Sequence, residues 1–477
     1  MSRFIKDIGI MSASPIITQF LGFLIIPIVA RYYTPDYFGE AAVYGSVLMP
    51  FAVFANLGYG SAIVSADSEK DASNILTLNL ISTLLISLIS ILILTFINYI
   101  TLGKFNIIDK YFWFFPFSII IHGFYISFRS FNIRLGRFNI LSISQIGRFI
   151  SENSIKLIVA FSGHASAFFI VISEFSGGLA SVSLLNVNLW NRIKNIIKRD
   201  VNLKSIKETA FKYIKFPKFI LVNDFVSRIS GQLPIYILAF YFSQTIIGFY
   251  AIGLRLLTMP LNLFGGAIGD VFFQKAAKNK EDIQNILEKL FNYLMLFSFS
   301  IFLFLGIFGE EMFLLFLGDS WIEAGVYAQI LSFYLFCKFI TLPCSYLMII
   351  YQKQEYSLYL NLTIMTLSIF SLLIGGILEN VYLALLLFSL SNSLAYLAFG
   401  IGFMNYSGIL LFKILKIILN NLIKNIPIAL ILIMIKMNYN SSDIFTIAFI
   451  ILVVLINLLV ILFSTRESRE EILKIIK

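Results

Sequence analysis

The sequence predicts an all-α polytopic membrane protein of about fourteen helices, in two pseudo-symmetric six-helix bundles followed by two further helices. Three observations carry this. Hydrophobic residues fill 59% of the 477 positions and charged residues only 13%, at a mean hydropathy of +0.89, which is more apolar surface than a soluble core can hide. Apolar stretches of spanning length recur along the whole chain. Lys and Arg collect in alternate connections, the asymmetry that orients membrane helices.

The basic start (Arg3, Lys6) and the apolar run to Ala30 would also suit a signal peptide. The length of the run and the many later spans favour an uncleaved first helix, Ile8–Ala30. Further spans are expected at Ala41–Val64, Asn74–Tyr99, Tyr111–Phe128, Phe138–Phe161, Ala165–Leu185, Phe219–Phe242 and Ile246–Phe273. The remaining six fall at Leu290–Phe308, Ala324–Tyr351, Tyr356–Leu378, Tyr382–Met404, Ile417–Ile435 and Ile444–Phe463.

With the amino terminus inside, twenty-six Lys and Arg fall in inside segments, Arg129, Arg134 and Arg137 among them, against Arg31, Lys104, Lys110 and Lys436 outside. Both termini are therefore expected on the cytoplasmic side of the membrane. The formal charge of +10 follows from this asymmetry and does not imply a nucleic-acid partner. Cys337 and Cys344 sit seven apart on one expected helix, too far for a disulfide, and no Cys or His spacing suits a metal.

An internal repeat organises the chain. Gly39 matches Gly248 at an offset of 209, Pro50 matches Pro260 at 210, and Asn74 matches Asn285 at 211. The order and the near-constant offset imply an N-terminal bundle (1–185), a basic linker (186–218), a C-terminal bundle (219–405), and two additional helices with a tail (406–477). Two bundles facing a central cavity make an alternating-access transporter.

Charges inside the spans mark that cavity, because an ionisable group at bilayer depth is costly unless it faces protein or water. Asp224, Arg228 and Gln232 share one helical face, and Arg148, Glu152 and Lys156 share another at the same four-residue spacing. The competing account is that Arg148–Glu152 and Asp224–Arg228 are neutralised pairs that only orient helices. Arg148, Lys156, Arg228, Arg255 and Lys338, with Gln232, are the candidate substrate-binding residues; Glu152, Glu174 and Asp224 are the available acids. The excess of bases favours a phosphate-bearing ligand, whereas a cationic-drug pump calls for excess acid.

The chain resembles the polysaccharide flippase (Wzx-type) branch of the multidrug/oligosaccharidyl-lipid/polysaccharide exporter superfamily. The likeness rests on Ala30-Arg31-Tyr32 through Phe38-Gly39 with Gly58 and Gly60. It continues in Gly248-Phe249-Tyr250-Ala251 with Arg255 and Pro260, in Leu317-Gly318-Asp319 through Trp321, Ala324-Gly325 and Tyr327, and in Pro343 and Gln352-Lys353-Gln354. The resemblance implies a MATE-like fold with a V-shaped cavity. It also implies movement of an undecaprenyl-diphosphate-linked oligosaccharide between leaflets, for O-antigen, lipopolysaccharide or related surface polysaccharide, with no bound cofactor. Coupling to a Na+ or H+ gradient through Glu152, Glu174 or Asp224, and polysaccharide polymerase and chain-length proteins as partners, are implied likewise.

Rivals on the same fold are a multidrug or organic-cation antiporter and a lipid II flippase. A membrane glycosyltransferase or polymerase fits less well, because the longest outside loop, 309–323, holds Glu310, Glu311, Asp319 and Glu323 without histidine or a basic partner. His122 and His164 read as structural or interfacial, near the outer half of the membrane.

Overall fold

The structure is a computed structural model and describes residues 2–100, 106–187, 189, 202–278, 283–351, 353 and 355–438. Among these residues it contains helices and turns only, and the chain divides into two compact units, 1–248 and 249–477. The expected span Ile444–Phe463 and most of the linker lie outside the described residues. Nine described helices are long and apolar enough to cross a membrane.

The first unit begins with α1 (Ser2–Tyr32) and α2 (Pro35–Ala55). Pro35 occupies the first turn of α2, where its missing N–H costs nothing. The span expected over Ala41–Val64 is not one helix: after Ala55 the chain turns through Leu57 (φ 46°) and Gly58 (φ 76°) before α3 (Gly60–Ser65). These left-handed dihedrals break the helix, and they suit Gly58.

Ser68 Oγ accepts from Asp71 N at 3.0 Å and so caps α4 (Glu69–Ile100). On α4, Asn79, Ser82, Thr83, Ser87 and Ser90 are buried while Leu84, Leu88, Leu92 and Phe96 are exposed. Polar inside and apolar outside is the arrangement hydrocarbon requires, since buried hydroxyls find partners only within the protein. Thr83 Oγ1, for example, donates to Ala55 O at 3.1 Å.

α5 (Asn106–Tyr111), α6 (Phe114–Arg134), α7 (Phe138–Phe161) and α8 (Ala167–Leu185) complete this part. A core of Ile63, Ile75, Phe131, Leu185 and neighbours joins α3, α4, α6 and α8. α6 and α7 fall outside the set of nine spanning helices because of their polar and charged residues.

The basic linker contains α9 (Leu203–Lys212), opened by a reciprocal capping box between Asn202 and Ser205. A π-helical turn, Phe216–Leu221, leads into α10 (Val222–Tyr241), which packs on α2 inside the first unit. Lys212 pairs with Asp67 and Asp71 at 2.8 and 2.7 Å.

Hydrogen bonds from Lys212 and Tyr213 hold the Asp67 carboxyl below its usual range, and Asp67 and Asp71 hold the Lys212 ammonium above its own. Asp67 therefore stabilises docking above the ordinary carboxylate range, and this contribution is lost as pH falls through its lowered value. Lys212 stabilises docking below the ordinary lysine range, and that contribution is lost only as pH rises through its raised value. Hydrogen exchange, corrected for the intrinsic pH dependence of the amides, should find α9 equally protected across the neutral range and less protected as pH falls through the lowered Asp67 value.

The second unit is reached along α11 (Gln244–Lys278), whose first turn belongs to the first unit. It contains α12 (Ile283–Leu317), α13 (Ile322–Ile340), α14 (Leu342–Ile350), α15 (Glu355–Ile377), α16 (Val381–Tyr406) and α17 (Leu411–Asn438). α12 kinks at Phe308 (φ −112°, ψ 18°), beside Gly309. A side chain at Gly325 of α13 would collide with the Gly309 and Glu310 backbone, so small residues set this helix contact.

The span expected over Ala324–Tyr351 is interrupted at Thr341, which puts Cys337 and Cys344 on different helices, both free and buried. α17 docks on α12 through Asn421 Nδ2 donating to Asn292 Oδ1 at 2.7 Å and a Lys436–Glu311 ion pair at 3.1 Å.

Candidate functional site

A cavity of about 450 Å³ lies within the first unit. One wall is a single face of α6: His122, Tyr125, Ile126, Arg129 and Ser130 follow the i, i+3, i+4, i+7, i+8 spacing of a helix. The wall contributed by α10 is Asp224 and Arg228, one turn apart, above Leu221 of the π turn. Ala52, Val53 and Asn56 at the end of α2, with Gly58, Gly60 and Ser61, complete the lining. The break after α2 therefore has a use: an uninterrupted helix would not present this turn to the cavity.

The charge balance is cationic. Arg129 and Arg228 stand against Asp224, and His122 lies within electrostatic reach of both Arg228 and Arg148. Arg228 is exposed to the cavity; its contact to protein is a long one, Nη1 to Met49 Sδ at 3.8 Å. No ion pair within 4.0 Å joins Arg228 to Asp224 among the described residues. Asn56 is 3% exposed; its Oδ1 accepts from Ser127 Oγ at 2.8 Å, while its Nδ2 has no partner among the described residues. A buried donor without an acceptor is costly.

The candidates from the sequence are dispersed. Of Asp224, Arg228 and Gln232, the first two line the cavity; Gln232, one turn further, is half-buried and outside its walls. Arg148 stands behind the wall with its guanidinium 5.9 Å from the Tyr125 ring centre. Lys156 is 3% exposed, and its ammonium is 2.6 Å from Glu152, so on α7 a neutralised pair forms between these two. Lys156→Ala should cost about 3 kcal/mol in unfolding free energy, because it strands a carboxylate among helices, whereas Lys156→Met with Glu152→Gln should cost much less; chemical denaturation of the purified protein checks both.

Glu174, half-buried on α8, acts on Tyr44, whose hydroxyl bonds Ser118 at 2.7 Å. In the second unit, Arg255 is exposed on α11, and Lys338 lies 5.8 Å from the ring centres of both Tyr334 and Tyr396.

Sequence reasoning missed His122, Arg129 and Asn56. Arg129 was assigned to a loop because the fourth expected span, Tyr111–Phe128, stops one residue before it, but α6 continues to Arg134 and carries Arg129 into the wall. The seven-residue step from His122 to Arg129 was the available signal. His122 faces this same charged cavity, so it is not an isolated interfacial histidine. Glu40 was also passed over; it pairs with Lys110 and accepts from the Tyr111 hydroxyl.

The described residues form helices with polar residues turned inward around a cation-lined cavity, and the fold is that of solved proteins of the multidrug/oligosaccharidyl-lipid/polysaccharide exporter (MOP) superfamily. It is similar to a lipid II flippase MurJ in an inward closed conformation, with a TM-score of 0.73 and 16% identity over 97% of this chain and 99% of that one. An inward-facing multidrug resistance MATE family transporter gives a TM-score of 0.63 and 12% identity over 83% and 96%. A MOP superfamily transporter from Pyrococcus furiosus, described by a reverse polarity of its binding pocket, gives 0.59 and 13% over 84% and 95%. Residues 28–326 match the family described as polysaccharide biosynthesis protein, and the chain belongs to that family. No curated protein matches it significantly in sequence.

Proposed function

We propose that this protein is a flippase that carries undecaprenyl-diphosphate-linked oligosaccharide repeat units from the cytoplasmic to the outer leaflet of a bacterial inner membrane, by alternating access. The observation that carries this reading is the cavity in which Arg129 and Arg228 outweigh Asp224. A diphosphate presents oxygens that a guanidinium fork binds in pairs, at strengths neutral donors do not reach. A cationic drug would meet two like charges there. Membership of a polysaccharide biosynthesis family supports a sugar-bearing cargo.

The matched superfamily consists of transporters, which supports a non-enzymatic role. Asp224 is the acid best placed to couple transport to a Na+ or H+ gradient, since it shares the cavity with Arg228, whereas Glu152 is engaged by Lys156. Both termini are taken as cytoplasmic, and a polysaccharide polymerase and chain-length proteins as downstream partners.

A lipid II flippase is the second reading, favoured by the full-length fold match to MurJ; its cargo shares the polyprenyl diphosphate. Gene deletion separates the two. The proposal expects lipid-linked repeat units to accumulate on the cytoplasmic leaflet and surface polysaccharide to disappear while the cell wall is still made. Cell lysis with lipid II accumulation would favour the second reading, and loss of drug resistance with normal polysaccharide would refute both.

A further inference from the structure

The connection that holds α9 presents a surface the transport cavity does not use. α9 is fixed by one face: Ser205, Thr209 and Tyr213, at i, i+4 and i+8, are buried. Asn74 Nδ2 donates to Thr209 Oγ1 at 3.0 Å, and Lys212 pairs with Asp71 at 2.7 Å. Asp71 and Asn74 lie in the opening turns of α4, a spanning helix, so α9 is held at the membrane boundary.

At 100° per residue, the face opposite this buried stripe carries Leu203, Lys207 and Phe211, with Lys204 beside them. Leu203 is 84% and Phe211 65% exposed. The mixture continues after the helix through Ile214, Lys215, Lys218 and Phe219, all exposed, with the Lys218 ammonium 5.7 Å from the Phe219 ring centre.

We propose that this face is a binding surface for anionic phospholipid headgroups. Leu203, Phe211, Ile214 and Phe219 enter the acyl boundary, and Lys204, Lys207, Lys215 and Lys218 meet lipid phosphates. Bulk water disfavours four exposed large apolar side chains, and hydrocarbon disfavours four ammonium groups. The headgroup layer accommodates both, because lysine stems lie along apolar surface while their heads remain hydrated. On the exposed face of α9 only Glu208 opposes the lysines, so the charge is complementary to an anionic leaflet. The consequence reaches the cavity, since the same segment runs through Ile220 and Leu221 to Asp224.

The test uses the full chain in nanodiscs of phosphatidylcholine, alone or mixed with phosphatidylglycerol, with an environment-sensitive fluorophore on Phe211→Cys; Cys337 and Cys344 are buried. In mixed discs a headgroup-level lipid quencher should reach the label and aqueous iodide should not. Each lysine near an anionic surface is worth about fivefold, so Lys204→Gln/Lys207→Gln/Lys215→Gln/Lys218→Gln should reduce the phosphatidylglycerol preference about tenfold or more. These are exposed positions and leave the docked face intact. Equal iodide access in both discs, or lipid quenching indifferent to phosphatidylglycerol and to the four substitutions, would overturn the proposal.

Discussion

Arg228→Ala should lower transport of a lipid-linked oligosaccharide in proteoliposomes by about tenfold or more, while the purified protein keeps its thermal stability. The two halves of this expectation have separate causes. Arg228 stands in the cavity wall, and its contact to protein is a long approach to the Met49 sulfur, so its removal breaks no buried pair. A hydrogen bond between charged groups contributes about 1.5–3 kcal/mol, which is tenfold to a hundredfold in binding. Arg228→Lys should restore part of the activity, since it keeps the charge and loses the fork. Wild-type transport by Arg228→Ala would remove this residue from the site.

The second large effect concerns Gly39 and Gly248, the landmarks that first indicated a repeat. They meet in the first unit: a Cβ on Gly39 would overlap the Gln244 carbonyl, and one on Gly248 would overlap the Pro35 carbonyl. The contact is reciprocal, each glycine lying against the residue four positions before the other, with Thr245 bonded to Asp36 beside it.

Backbone cannot yield as a side-chain tip can, so either glycine replaced by alanine should cost about 3 kcal/mol, the upper end for overpacking. The double substitution should cost less than the two singles together, because both force one separation. Gly45→Ala on the same helix, with nothing within 4 Å, is the control and should be tolerated. Thermal or denaturant unfolding measures all four, and full tolerance at Gly39 and Gly248 would contradict the observed packing.

The fold class was legible because hydropathy and loop charge are summed over the whole chain, and no single boundary decides them. Interruptions were not legible in the same way. The turn at Leu57–Gly58 and the break at Thr341 lie within apolar runs, and only the backbone reveals that two helices share each run.

The face of Asp224 and Arg228 was readable from a four-residue spacing. On α7, the four-residue spacing suggested Arg148 as the ion-pair partner of Glu152, whereas the pair found at 2.6 Å is Lys156–Glu152. Arg129 was misplaced by the length of one helix. The buried stripe of α9 could not be recognised, since Ser205 and Thr209 are polar and their burial depends on Asn74, distant in sequence.

The proposed transport requires that the cavity lined by Arg129 and Arg228 bind a diphosphate. The most direct measurement is the affinity of the purified protein for a short-chain prenyl-diphosphate oligosaccharide, compared with its monophosphate and with a cationic dye, in wild type and in Arg129→Gln/Arg228→Gln. The expected result is preference for the diphosphate and a loss of about tenfold or more in the double variant. Equal affinity in the two proteins, or tighter binding of the dye, would contradict it.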